Sequence, residues 1–262
     1  MITALPRIAI AVADFDAAVA TFRDGFGMPV VDLSGDTGPS LGARIAMAIP
    51  HGGSNIELMS PARADAPLAQ ALQRFLDRRG DGLYALMLEA PVPDDEAAAL
   101  DGRGVRVLPL MPGAAGRDVH PSSTHGVLIR VYPQRSADLG TRPSAAPGLS
   151  GIAAVVVATA DVAGAARAYG EGLGLTVGPA ATGALGHPCL PVHAPSGAVI
   201  ELTARDDGDD AGPGMRTLVL DVDDPAQALT VLAARGLPTA TTPQPAVVAC
   251  GTRFVLRARP AR

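Results

Sequence analysis

Of the side chains able to carry chemistry, the cations narrow the choice most. All 21 basic residues are arginine and lysine does not occur, which removes Schiff-base chemistry and the lysine of a phosphate-binding loop. An anion site in this chain has to be built from guanidinium groups or backbone N–H groups. The cysteines, Cys189 and Cys250, lack C-x-x-C spacing and read as reduced core residues rather than a zinc or redox pair. The histidines are His51, His120, His125, His187 and His193. None falls two or four residues from another on a predicted inward-facing strand, the pattern that a strand-borne metal site needs.

Composition bounds the setting of that chemistry. A chain of 262 residues, 48% hydrophobic and 18% charged, can bury a sizeable core. A net charge of -5 with 3% aromatic residues leaves little for a nucleic-acid surface. The sequence has no apolar run of ~18 residues and no basic, then apolar, then small-residue start. The expectation is a cytoplasmic globular protein with no membrane and no nucleic-acid partner.

The elements that must position the candidates are written twice. IAIAVADFDAAVATFRDGFGM (Ile8–Met28) and VVVATADVAGAARAYGEGLGL (Val155–Leu175) are copies of one strand–helix unit, each with an aspartate (Asp14, Asp161) capping the helix. In the first copy Phe15, Ala18, Val19 and Phe22 recur at helical spacing. Apolar segments at Pro29–Leu33, Arg44–Ile49 and Asn55–Met59, separated by the turn sequences GDTGPS and PHGGS, complete a βαβββ module. A second module runs from Leu83–Glu89 through a helix at Asp94–Leu100 to Val127–Tyr132. The second half repeats the pattern, with modules near 152–204 and 214–258. An extra helix over Ala66–Arg79 in the first half is replaced by the polar run RDDGDDAGPG in the second. The fold class expected is α+β, in two tandem units of paired modules: residues 1–135, a linker over 136–150 (SADLGTRPSAAPGLS), and a trimmed second unit over 151–262.

Paired βαβββ modules with a D-x-x-x-A-x-x-F/Y-x-x-x-L-G-L helix resemble the vicinal oxygen chelate superfamily of glyoxalases, extradiol dioxygenases and bleomycin-resistance proteins. Within it the first half is most similar to methylmalonyl-CoA epimerases, through NIELMSP (Asn55–Pro61), APLAQALQRFLDRRGDG (Ala66–Gly82) and HPSSTHGVLIRV (His120–Val131). The resemblance implies a cup in each half, with a divalent metal held by four side chains. Carried over position by position, those places hold Arg7, Glu57, Ala85 and Arg130 in the first half, and Ala154, Glu201, Thr217 and Arg257 in the second. One carboxylate beside arginines repels a cation rather than holding it, so no metal and no other cofactor is expected.

What remains is an ion-pair cup. Arg7 and Arg130 facing Glu57 would leave the first cup with net positive charge, suited to a small-molecule anion such as a carboxylate or acyl thioester. Glu57 is then the candidate base for a proton next to a carbonyl, as in an isomerase or lyase, with Ser122 and Ser123 as candidate ligand contacts. Tyr84, beside Ala85, is expected to point to the opposite face and pack against the helices rather than line the cup. Glu201 with Arg257 is expected to be structural. The alternatives are a non-catalytic, drug-sequestering binding protein and, third, a metal-dependent glyoxalase or extradiol dioxygenase.

Overall fold

The computed structural model describes residues 1–136, 139, 149–206, 212–241 and 243–259, so most of the expected linker lies outside the described residues. In the first half β1 (Ala4–Ala11) leads to α1 (Phe15–Ala20), which runs on as a π-turn over Thr21–Gly25. There follow β2 (Val30–Asp32), α2 (Ser34–Leu41), β3 (Ala43–Ala48), β4 (Asn55–Pro61), α3 (Pro67–Arg79), β5 (Gly82–Ala90), α4 (Pro93–Gly102), β6 (Arg117–Val119) and β7 (Leu128–Pro133). The second half has β8 (Leu149–Thr159), α5 (Val162–Arg167) with its own π-turn over Ala168–Gly172, β9 (Thr176–Val177) and β10 (Ala181–Thr182). It continues with β11 (Pro188–His193), β12 (Val199–Ala204), β13 (Gly214–Val222), α6 (Pro225–Ala234), β14 (Thr239–Ala240), β15 (Ala246–Ala249) and β16 (Thr252–Ala258). No described helix is long and apolar enough to cross a membrane.

The strands form two mixed sheets, ordered β2-β3-β4-β1-β5-β7-β6 and β10-β11-β12-β8-β13-β16-β15-β14, with β9 paired to β11. Both are built around the opening strand of their half. β1 runs parallel to β4 and antiparallel to β5, as β8 does to β12 and β13. The helices that follow start where the sequence caps them: Asp14 accepts the Ala17 N–H at 3.0 Å and Asp161 the Gly164 N–H at 2.7 Å.

Two elements differ from expectation. GDTGPS, read as a turn, lies within the helix α2 despite Pro39. Asp32 accepts the Ser34 N–H, Thr37 bonds the Leu33 and Ala43 carbonyls, and Gly42 ends the helix in the left-handed region. The second module is one strand short, because Val107 makes only an isolated bridge to Val119. The segment that follows, LPLMPGA, carries two prolines that cannot donate to a ladder.

Alternation splits each central strand between two interiors. One face of both sheets, with Ile8, Ile10, Leu58 and Leu86 from the first and Val155, Val157, Leu218 and Phe254 from the second, belongs to a single core that spans the halves. Phe22 and Phe26 from the first half stack at 5.2 Å, and Phe254 meets Phe22 edge-on at 5.9 Å. The other face of the first sheet, with Ala9, Met59, Ala85 and Met87, packs separately beneath Leu68 and Leu72 of α3. Ala154, Val156 and Val219 form the corresponding small cluster in the second sheet. The two cups therefore have separate interiors.

Contacts between the halves are reciprocal. Leu5 bridges Gly197, while Ile152 bridges Gly53. A Cβ on Gly197 would stand 2.0 Å from the Leu5 carbonyl oxygen and one on Gly53 1.8 Å from that of Ile152, so both positions need glycine. Ser54 fastens the join, donating to the Leu5 carbonyl and accepting the Ala198 N–H.

Candidate anion site in the first cup

Arg7, Glu57 and Arg130 share the cup-facing set of their strands. Glu57 stands opposite Ala9, and Arg7, Met87 and Arg130 form one row across β1, β5 and β7. The two arginines are thus two strand spacings apart, roughly 10 Å at the backbone. All three charged residues are nearly sealed, at 6%, 3% and 2% exposure respectively.

Their pairing is not the expected one. Arg7 Nε lies 3.4 Å from Glu57 Oε2, Nη2 donates to Ser136 Oγ at 3.0 Å, and the guanidinium sits 4.5 Å over the Tyr132 ring. Arg130 instead donates through Nη2 to Asp118 at 3.0 Å and lies 5.9 Å from the Tyr84 ring. Asp118 faces Arg130 directly across β6 and β7, so the cup has a second carboxylate, which removes the expected net positive charge. Burial works against the Arg130 charge, but Asp118 and the neighbouring phenols more than offset it and push its pKa up. Burial likewise raises the Tyr132 and Tyr84 phenols.

Sequence reading missed both Asp118 and the role of Glu89. Buried Glu89 accepts the Arg135 and Ser136 N–H groups and the Ser136 hydroxyl, which in turn holds Arg7. Asp118 sits on a three-residue strand inside a proline- and glycine-rich stretch, where no periodicity could reveal it. Tyr84 packs against Phe75 of α3 at 5.2 Å, as expected, but from the cup side, because an irregularity in the β1–β5 register beside Ala9 brings it there with Ala85, where it lines the cavity.

An open cavity of about 630 Å³ reaches this cup, lined among others by Arg130, Asp118, Tyr84, Phe75, Met111 and Leu128. Arg7 and Glu57 do not line it. Ser122 and Ser123 do not line it either, because their hydroxyls close the local turn: Ser122 Oγ is 2.7 Å from His120 Nδ1, and Ser123 Oγ accepts the Arg106 N–H. Among the described residues, the buried side-chain polar atoms without a hydrogen-bond partner are Arg7 Nε, Glu57 Oε2, Arg130 Nε and Ser34 Oγ. Three of these four belong to the first cup.

The second cup is filled. Glu201 accepts the Ala184 N–H at 2.9 Å, and Arg257 lies 3.7 Å from it while donating to Asp221 at 2.8 Å. The space left beside Glu201 is about 10 Å³, room for a water at most. Gly183 closes it, since a Cβ there would stand 2.8 Å from Glu201 Oε2. The register also corrects one correspondence. Val219 pairs with Val255 as Met87 pairs with Arg130, so Val255 takes the place of Arg130, and Arg257 that of Tyr132.

Residues 7–120 match the family model of the Glyoxalase/Bleomycin resistance protein/Dioxygenase superfamily. The whole chain shares its fold with a mutant of 4-hydroxymandelate synthase from Streptomyces coelicolor, at 18% identity and a TM-score of 0.70, covering 100% of this chain and 94% of that one. The methylmalonyl-CoA epimerase of Mycobacterium tuberculosis is 29% identical, with 52% of this chain and 91% of that one covered and a TM-score of 0.42. A curated relative, the glycerol-3-phosphate dehydrogenase [NAD(P)+] of Paracoccus denitrificans, is 32% identical over 142 residues, and the match spans 41% of its length.

The residues do not fit the divalent ion of the superfamily. Guanidinium groups stand at two of the four ligand places, Ala85 offers no donor, and the one carboxylate, Glu57, is already 3.4 Å from Arg7. Among the described residues no group of three or more His, Cys, Asp or Glu side chains could hold a metal.

Proposed function

We propose that the first cup binds an organic anion, a small carboxylate or an acyl thioester, through Arg130 and Arg7, and that Glu57 moves a proton next to the carbonyl of that ligand. The observation that supports this reading is Arg130 Nε, a buried donor without a hydrogen-bond partner on a residue that lines the cavity, with Arg7 Nε and Glu57 Oε2, likewise without a hydrogen bond, facing only each other at 3.4 Å on the same face of the sheet. Buried polar atoms are almost always satisfied, so the free Arg130 donor asks for a polar guest. Arg130 already lines the cavity and keeps Nε uncommitted while Asp118 fixes Nη2. An oxygen of the ligand would complete the Arg130 fork, and the guanidinium groups would stabilise an enolate as charge develops. Met87 lies in the row between the two arginines. Its flexible thioether is the side chain that a ligand displaces to reach Glu57.

The second reading is binding without catalysis, and what favours it is that Glu57 does not line the cavity. Both readings meet one experiment: solvent deuterium exchange at the acidic carbon of a panel of acyl thioesters and 2-oxo acids, followed by NMR. Proton transfer by Glu57 predicts exchange in the wild type and none in Glu57→Gln, which keeps the shape but loses the base. Exchange that persists in Glu57→Gln removes Glu57 as the base. Binding without any exchange leaves a binding protein.

A further inference from the structure

The loop that leads into β6 places a thioether against the uncommitted cation of the first cup. Met111 stands in the run PLMPG (Pro109–Gly113), whose prolines restrict the backbone. The Leu108 N–H donates to the Asp118 carbonyl at 2.7 Å, and the Ala114 N–H to the Met111 carbonyl at 3.0 Å. Gly113 lies so close to α2 that a Cβ on it would stand 2.5 Å from the Ser40 carbonyl oxygen. From this anchored segment Met111 Sδ meets Arg130 Nη2 at 4.0 Å. Nε of the same guanidinium, on a residue 2% exposed, has no hydrogen-bond partner, and Nε and Nη2 are the two donors of one fork.

Exposure sets Met111 apart from most other sulfurs. Met28, Met47, Met59 and Met87 are sealed at 1% or less, whereas Met111 and Met215 are half-buried and line the open cavity. Neither thiol competes for an oxidant: burial pushes the Cys250 thiol up to about 12 and raises that of Cys189, and a protonated thiol is a poor nucleophile. Oxidation converts a thioether, a weak acceptor, into a polar sulfoxide. In that step the sulfur lone pair forms an S–O bond to one peroxide oxygen and the O–O bond breaks. The departing hydroxide takes the proton of the transferred oxygen and leaves as water, so the sulfur is oxidised and the peroxide reduced by two electrons. The 4.0 Å between Sδ and Nη2 leaves room for the new oxygen at the usual hydrogen-bond distance of about 2.7–3.2 Å from the fork.

We propose that Met111 is an oxidation switch of the first cup: its sulfoxide oxygen takes the edge of Arg130 that an anion would occupy, so that a peroxide closes the site. The proposal rests on the reading of the first cup as an anion site, and its test separates the two. Wild type and Met111→Leu would be treated with graded hydrogen peroxide, mapped by peptide mass spectrometry, titrated calorimetrically with propionate, and melted.

Met111 sulfoxide is expected to form ahead of Met215 sulfoxide, and propionate affinity to fall about tenfold or more in the treated wild type. Met111→Leu should bind propionate equally before and after treatment, and methionine sulfoxide reductases should restore the wild type. A sulfoxide ordinarily disrupts packing. Here the bond to Arg130 should raise the wild-type Tm by about 3 °C relative to Met111→Leu given the same treatment. The switch is overturned if Met215 is converted while Met111 stays reduced, or if full conversion of Met111 leaves propionate affinity unchanged. A fall in affinity with a lowered Tm overturns it too, because the sulfoxide would then disrupt the cup rather than cap Arg130. Untreated wild type that binds no propionate would sink the anion reading of the cup; the Tm shift would then decide alone whether the sulfoxide caps Arg130.

Discussion

Replacing Asp118 by asparagine tests the electrostatics of the first cup directly. The substitution keeps the shape of the side chain and removes the charge that faces Arg130 at 3.0 Å. Arg130, at 2% exposure, would keep a neutral amide oxygen, the Met111 sulfur and two phenol rings beside it but lose the negative charge that faces it. Removing one partner of a buried pair costs about 3–5 kcal/mol. The 13% exposure of the Asp118 side chain puts the expected loss at the low end of that range, about 3 kcal/mol. With an unfolding entropy of about 2.1 cal/mol/K per residue over 262 residues, that loss corresponds to a Tm lower by about 5 °C. Differential scanning calorimetry reads the shift. Arg130→Met combined with Asp118→Leu should recover most of it, because an apolar pair of similar volume leaves no charge uncompensated. Asp118→Asn melting within about 1 °C of the wild type would show that water reaches Arg130, and would refute the argument from unsatisfied atoms.

Phe254→Ala, which empties the aromatic contact between the halves, should cost about 3–5 kcal/mol by denaturant unfolding, and a loss below about 1 kcal/mol would mean that the shared core is not tightly packed there. Burial pushes all three phenols, Tyr84, Tyr132 and Tyr169, above the ordinary value of 10.0. A folded pKa above the unfolded one gives stability that is whole below the unfolded value and is lost as pH rises beyond it. Absorbance at 295 nm should therefore show tyrosinate only as the protein unfolds in alkali, and a phenol titrating near 10 in the folded state would contradict the burial. Purified protein should carry no stoichiometric divalent metal and should melt at the same temperature with EDTA. About one metal ion per chain by elemental analysis would overturn the argument from the guanidinium groups.

The parts of this fold that were legible in the sequence are those with a period or a cap. Asp14 and Asp161 fix where α1 and α5 begin, and the stripe of Leu68, Leu72 and Leu76 announces α3. Alternation gives the strand faces, but it cannot see a shift of two residues, which returns a side chain to the same face. For that reason Arg257 passes for the counterpart of Arg130 until the β13–β16 register assigns it to Tyr132. Tyr84 escapes because an irregular β1–β5 pairing breaks the alternation. Asp118 escapes because its strand is three residues long, so its only signature is its partner across the ladder. The site was thus half visible: the residues on long strands could be found, and the one that sets the charge balance could not.

The reciprocal contacts between the halves, Leu5 with Gly197 and Ile152 with Gly53, are the arrangement that two identical subunits adopt about a two-fold axis. In a homodimer every substitution is made twice, so a binding pocket cannot be altered on one side alone. A single chain carrying both copies escapes that rule, and its second copy is always present at the high local concentration that a tether provides. One copy can then close its pocket with a glycine loop, as Gly183 does over Glu201, and serve as a fixed wall while the other keeps its cavity. Met215, reaching from the closed copy into the cavity of the open one, shows the gain: one open site walled by a closed copy, a division that a symmetric pair could not make.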